Sequence, residues 1–386
     1  MAPKMPDRVI DPFYVMEVVA AAQEREQTGE AVHHLEVGQP STGAPTGAIA
    51  RAHELLDAEP LGYTTSRGIP ELAPAIAGHI GRWYDIDVDP ARIAVTQGAT
   101  GAFILTLLAA FEAGARIGVT VPGYPCYRNI VTALHMEPVL VPVDASTRYQ
   151  PTTEQLDGVG PLDGLIIASP ANPTGTMLTP AELENLAGWS DANNVRLISD
   201  EIYHGLHYGN AEQATATQFS DSAIVINSFS KYFSMTGWRI GWTVLPEELL
   251  TPVDRLAQNL VICPPTLSQH VALAALDCSP ELESHVERYA QNRQILLDGL
   301  PKAGMTELAP ADGAFYIWAR TDHLAADSKL LAAQWLQQLG VAATPGIDFH
   351  PTDGHRFMRF SFCGTPETMR AAVDALTTWH LRQLAG

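Results

Sequence analysis

One lysine in this sequence stands where a lysine is poorly hydrated. An apolar run from Ala223 to Ile226 breaks into Ser228-Phe229-Ser230-Lys231, which sets the Lys231 amine just past the end of a buried strand. Desolvation disfavours the ammonium form and a nearby cation lowers its pKa further, so this amine can be neutral often enough to attack a carbonyl. Arg239 supplies the candidate cation. Arg359 lies in Met358-Arg359-Phe360-Ser361-Phe362, an alternating strand in which an inward guanidinium is costly without an anionic partner. Its fork of donors suits a carboxylate, gripped through two parallel hydrogen bonds. A third candidate is the turn Gly98-Ala99-Thr100, between a short strand and an apolar helix. Unpaired backbone N–H groups and the positive end of the helix dipole can cradle a phosphate there. The turn lacks the GxGxxG spacing of a dinucleotide site.

These residues need elements to position them. Strands alternate with helices from about residue 90 to 245, the pattern of a doubly wound, mainly parallel sheet, whose sites form at the carboxyl ends of strands. Gly98, Tyr124, Asn172, Asp200 and Lys231 all fall at or near such ends. A helix is predicted over residues 12–30, followed by a short strand that breaks into Val37-Gly38-Gln39-Pro40, where a glycine lets backbone approach a ligand closely. A long helix, Glu281–Leu300, marks the passage into a smaller domain. That domain should hold strands at Gly313–Trp318 and Phe357–Phe362 and helices at Lys329–Leu339 and Pro366–Leu384. The expected division is an N-terminal arm over 1–42 that packs with the small domain, a large domain over 43–280 and a small α+β domain over 281–386.

Composition narrows the function. With 386 residues, 46% hydrophobic and 17% charged, the chain can bury a large core, and neither repeats nor low-complexity tracts interrupt it. A formal charge of −20 and a pI near 4.9 oppose binding to nucleic acid or anionic membranes. Cys126, Cys263, Cys278 and Cys363 form no CxxC pair, which points to reduced thiols in a cytoplasmic protein. The first ten residues lack the apolar segment of a secretory signal, and no run reaches membrane-spanning length. His204 and His207 lack the accompanying ligands of a metal site and read as solvated loop residues, while Glu201 reads as structural.

Ser228-x-Ser230-Lys231 followed by Gly237-x-Arg239-x-Gly241 resembles the cofactor-lysine motif of class I/II aminotransferases, the fold-type I enzymes that use pyridoxal 5′-phosphate. The resemblance runs from about residue 30 to 365, with further strong matches at Asn172-Pro173-Thr174-Gly175 and Asp200-Glu201-Ile202-Tyr203. It implies a seven-stranded, mainly parallel sheet in the large domain. It also implies that Lys231 carries the cofactor, that Ser228, Arg239 and the Gly98-Ala99-Thr100 turn hold its phosphate, and that Tyr124 stacks on its ring. Asp200 would pair with the ring nitrogen, Tyr203 and Asn172 with the phenolic oxygen, and Arg359, Asn172 and Gly38 with the substrate carboxylate. Tyr63 matches a tyrosine that reaches into the site of a partner subunit, so the implied enzyme is a homodimer with shared sites.

The implied reaction moves an amino group from an L-amino acid to a 2-oxo acid. The same residues would also serve a carbon–sulfur β-lyase or an aminocyclopropane carboxylate synthase, since each reaction begins with loss of the α-proton. A regulator built on the same fold would carry a basic DNA-binding domain before it, whereas here the fold begins almost at the first residue and the charge is negative. In the family's geometry Tyr14, Trp318 and Phe349 would line the side-chain end of the site and favour apolar or aromatic substrates. No second arginine is assignable to a substrate side chain.

Overall fold

The computed structural model describes residues 10–385. The opening residues, read above as lacking a signal segment, lie outside the described residues for all but Ile10. In chain order the strands are β1 (His33–Leu35), β2 (Ile93–Thr96), β3 (Arg116–Val121), β4 (Glu137–Pro142), β5 (Gly164–Ala168), β6 (Arg196–Asp200), β7 (Ile224–Ser228), β8 (Gly241–Val244), β9 (Tyr316–Arg320), β10 (Val341–Pro345) and β11 (Phe357–Ser361). Seven of them form one sheet in the order β2-β8-β7-β6-β5-β3-β4. Only β8 runs antiparallel to its neighbours. Because β8 is reversed, its start lies beside the ends of the others, and Gly241 is in register with both Ser228 and Thr96. That register brings Arg239 to the same rim as Lys231.

Central strands read as unbroken apolar runs because helices cover both faces of the sheet. Every residue of β7 is buried, and β5 and β6 are buried nearly throughout, whereas the edge strand β4 alternates toward solvent. The helix Gly98–Ala110 packs between the sheet and the helix Glu247–Leu260, and its apolar character extends to an outer side where Ile104 and Leu108 stay exposed. On the other face, Pro180–Ala192 starts with Pro180 at its first position and a reciprocal Thr179–Glu182 capping box, two features that fix where the crossover helix begins.

A second sheet has the order β1-β10-β11-β9, with β1 parallel to β10 and the rest antiparallel. Thus residues 33–35 join a sheet made otherwise from the last part of the chain. The long helix runs Ser279–Gly299, and Ser328–Leu339 and Pro366–Ala385 complete this layer. One predicted strand starts later than its pattern suggests. Gly313 and Ala314 donate their N–H groups to the carbonyls of Gly175 and Leu206 rather than to the sheet, so β9 begins at Tyr316. Arg239 adopts a left-handed backbone (φ 53°), so the strand after it begins at Gly241.

Candidate active site

The site is a cavity of about 500 Å³ at the carboxyl ends of β3, β5, β6 and β7, closed from the other side by β1, β9 and β11. Lys231 is on its wall. The Lys231 Nζ donates to the Gly38 carbonyl at 2.7 Å, and burial pushes its pKa down to about 8, with Arg359 and Arg239 adding to the fall and Cys363 and Asp200 opposing it. Gly38 is required to be glycine here, since a Cβ on it would sit 1.7 Å from the Tyr316 hydroxyl.

Asp200, the last residue of β6, is 4% exposed and faces the same cavity. Burial raises its pKa to about 6, against the pull of the Tyr127 hydroxyl, which donates to Oδ2 at 2.5 Å, and of the Ile202 N–H, which donates to Oδ1 at 3.1 Å. Tyr127 is a site residue that sequence reasoning passed over. Its signal was available: it follows Tyr124 by one helical turn, so both rings face one side. The Tyr203 and Tyr316 hydroxyls are 2.8 Å apart, and the Tyr203 ring lies 5.7 Å from Lys231 Nζ. Tyr316 carried no signal of its own in an apolar strand.

Arg359 is 2% exposed, and its acceptors are all neutral. Nη1 donates to the Asn172 amide oxygen at 2.9 Å, while Nη2 donates to the Glu36 carbonyl and to the Thr344 hydroxyl. Its Nε is buried without a partner, and among the described residues no carboxylate lies within ion-pair distance. The guanidinium is instead flanked by the Tyr316 and Phe349 rings, 4.5 and 4.7 Å from their centroids. A buried cation left this way has capacity for an anion.

At the opposite end, Ala99, Thr100 and Arg239 line the wall. The helix Gly98–Ala110 has no side-chain cap at its start, so its first N–H groups are open. Gly98 (φ 71°) leaves room for Arg239, for a Cβ there would stand 2.7 Å from Nη2. Ser228 stands one step back from the cavity. Its Oγ is engaged within the turn, 2.8 Å from Ser230 Oγ and 3.1 Å from the Ile240 carbonyl, and Ser230 is the hydroxyl on the wall. Tyr63 is not brought to this cavity at all. It is 83% exposed and borders a shallow surface hollow with Gln97 and Cys263.

Two expectations need correction. Tyr14, Trp318 and Phe349 do not line the side-chain end: Trp318 is buried and stacked on Phe357, Phe349 backs Arg359, and Tyr14 lies under the Lys329 ammonium at 4.4 Å. One helical step turns a side chain by about 100°, so Phe13, Val15 and Met16 face the cavity where Tyr14 does not. Cys126 and Ile130 complete that apolar end. His204 is not solvated either. It is 2% exposed, with Nε2 at 2.8 Å from the Ser169 carbonyl and Nδ1 at 2.5 Å from the Tyr84 hydroxyl, because the chain after β6 turns inward under the helix Leu72–Tyr84.

A buried amine, a raised carboxyl and an unpaired guanidinium around one cavity, on a sheet of this order, are the features of a fold-type I aminotransferase. Residues 30–376 match the sequence profile of the family Aminotransferase class I and II, and the chain belongs to that family. It is 46% identical to the valine–pyruvate aminotransferase of Mycobacterium tuberculosis over 384 residues, covering 97% of this chain and 99% of the relative. The crystal structure of an aminotransferase from Mycobacterium tuberculosis superposes with a TM-score of 0.97 at 45% identity, over 99% of this chain and 100% of that one. Thermus thermophilus aspartate aminotransferase, solved with maleate, gives 0.91 at 28% identity over 97% and 99%. The chain is a transaminase, moving an amino group from an L-amino acid to a 2-oxo acid, and its family depends in general on pyridoxal phosphate. Among the described residues no helix is long and apolar enough to cross a membrane.

Proposed function

We propose that this chain carries pyridoxal 5′-phosphate on Lys231 and transfers the amino group of an aliphatic L-amino acid of the valine type to pyruvate. The observation that carries the reading is Arg359, a buried guanidinium without a carboxylate partner that shares one cavity with a lysine of lowered pKa. The donor set fits the cofactor. The open helix start at Gly98-Ala99-Thr100, with Arg239 in the space left by the missing Cβ, suits a phosphate; Asp200 suits a protonated ring nitrogen; the Tyr124 ring suits a flat face. When bound, pyridoxal phosphate supplies an aldehyde that receives the amino group and an electron-withdrawing ring that weakens the bonds at the α-carbon.

The protein's own groups do the rest. Arg359, held by the Asn172 amide oxygen, grips the α-carboxylate and so orients the α-hydrogen. Lys231 Nζ, its pKa lowered by burial to about 8, accepts that proton and returns it. The Tyr203 hydroxyl is available to the cofactor's phenolic oxygen. Phe13, Val15, Ile130 and the other apolar residues offer no charge to a donor side chain, and the 46% identical relative named for valine and pyruvate supports the same choice of substrates. The exposed Tyr63 is free to enter the site of a second copy, which supports a homodimer with shared sites. Four free cysteines support a reducing, cytoplasmic setting.

The test is reconstitution and turnover. Cofactor-free wild-type protein should take up pyridoxal phosphate with a new absorbance band, faster as pH rises toward about 8 because the neutral amine is the nucleophile. It should then convert valine and pyruvate to alanine and a branched 2-oxo acid with ping-pong kinetics. Lys231→Ala should lose the band and more than about 10⁴-fold in turnover. Full activity in that variant would refute the assignment.

A further inference from the structure

The N-terminal helix Tyr14–Gln27 begins without a local cap. Its preceding residue is Phe13, whose side chain cannot accept a hydrogen bond, so the first N–H groups of the helix need partners from elsewhere. They find one more than 330 positions along the chain. The Asp348 carboxylate accepts from Tyr14 N at 3.1 Å and from Val15 N at 2.9 Å, and it is 1% exposed. A bidentate carboxylate at the positive end of a helix dipole is a strong fastening.

The same short segment holds the other walls. The Asp348 carbonyl accepts from Arg128 Nη2 at 2.8 Å, and the Phe349 carbonyl accepts from Gly123 N at 3.1 Å, so the helix that carries Cys126 and Ile130 is tied to it. The Phe349 ring flanks Arg359. Phe13, at the head of the N-terminal helix, meets Tyr124 edge-on with ring centroids 6.1 Å apart.

Resting on the donor reading above, we infer that Asp348 is a specificity-determining positioning residue: by capping the N-terminal helix from across the cavity it holds Phe13, Val15 and Met16 as an apolar wall against the donor side chain. Asp348 touches no reacting atom. It fixes how closely the wall stands to a branched side chain, and a donor as small as alanine does not reach that wall. The far end of the helix is fastened independently, through Arg25 Nη1 on the Gln337 carbonyl at 2.9 Å and Ala22 buried against Leu336 and Ala342. Loss of the cap therefore frees the cavity end and leaves the helix docked.

Asp348→Asn keeps the shape, loses the charge and turns an amide NH₂ toward one of the two helix N–H groups. In the loaded enzyme it should lower kcat/KM for valine about tenfold, mainly through KM, while alanine changes less than about twofold. The absorbance of the bound cofactor and the melting temperature should stay near wild type, and the amides of residues 14–16 should exchange with deuterium faster. Val15→Ala with Met16→Ala, which leaves Asp348 in place, should reproduce the lost preference for valine. Unchanged valine-to-alanine selectivity in Asp348→Asn, equal losses on both donors, or unaltered amide exchange would each overturn the inference while leaving the donor reading intact. A wild-type enzyme that does not use valine would overturn the donor reading itself and this inference with it.

Discussion

Asp200 and Glu201 are neighbours at the end of β6, both carboxyls are buried, and burial lifts both above the ordinary range, to about 6 and about 8. Successive residues of a strand face opposite sides, and these two face very different surroundings. Asp200 opens on the cavity beside Lys231. Glu201 opens only on a void of about 10 Å³ beside His79, Tyr84 and Trp242: Thr215 Oγ1 and the Ala216 N–H donate to its Oε1 at 3.1 and 2.9 Å, and His204 packs against its other oxygen at 3.3 Å. That last contact has the geometry of an ion pair without its charges. Burial holds the His204 imidazole down at about 3 and the Glu201 carboxyl up at about 8, so near neutral pH both are mainly uncharged. His204 Nε2 donates to the Ser169 carbonyl, which leaves Nδ1 to accept from Tyr84.

A raised pKa thus marks two adjacent residues and separates neither. Space and unmet partners separate them. One carboxyl shares a cavity with an amine and an unpaired guanidinium; the other is consumed by its own chain. The sharpest break of this comparison is a pair of isosteric or truncating variants. Asp200→Ala should reduce kcat by about 10³- to 10⁴-fold, because a buried charge aimed at the reacting system is lost. Glu201→Gln should stay within about twofold of wild type. Comparable losses in steady-state assays of the two would show that the division drawn here is wrong.

Arg359 sharpens the contrast within the cavity side. Arg359→Leu removes the proposed carboxylate grip and leaves Asn172 and the Glu36 carbonyl without their donor, so kcat/KM should fall about 10²-fold, or about 3 kcal/mol, with KM rising. Cofactor absorbance should persist, since Lys231 and Arg239 are untouched. Loss of the absorbance along with activity would place Arg359 in cofactor retention instead.

Much of this site was legible because its residues interrupt apolar runs. Asp200, Asn172 and Lys231 each end or follow a stretch that could only be a buried strand, and a polar residue there needs a reason. Arg359 was legible for the same cause, as a charge in an alternating strand. What lay hidden depends on contacts between distant parts of the chain. The apolar wall at Phe13, Val15 and Met16 takes its orientation from Asp348. His204 looked solvated because Tyr84, the residue that buries it, is 120 positions away. Arg239 reaches the cavity end opposite Arg359 by itself adopting a left-handed backbone that no local preference announces. Local chemistry reads out from sequence; which neighbour satisfies it does not.

The smallest expected effect concerns stability and falls on the closed side of the comparison. The Glu201 carboxyl has a folded pKa of about 8 against an ordinary value of 4.5. Between those values the folded chain keeps a proton that the unfolded chain has released, so the stability linked to Glu201 is complete below about pH 4.5 and is lost as pH rises through about 8. Gln has no proton to lose. Glu201→Gln should therefore melt close to wild type near pH 5 and hold an advantage that grows to about 1–3 °C by pH 8. If the two melting curves stay parallel across that range, Glu201 keeps its charge in the fold, and the uncharged contact with His204 must be replaced by an ion pair.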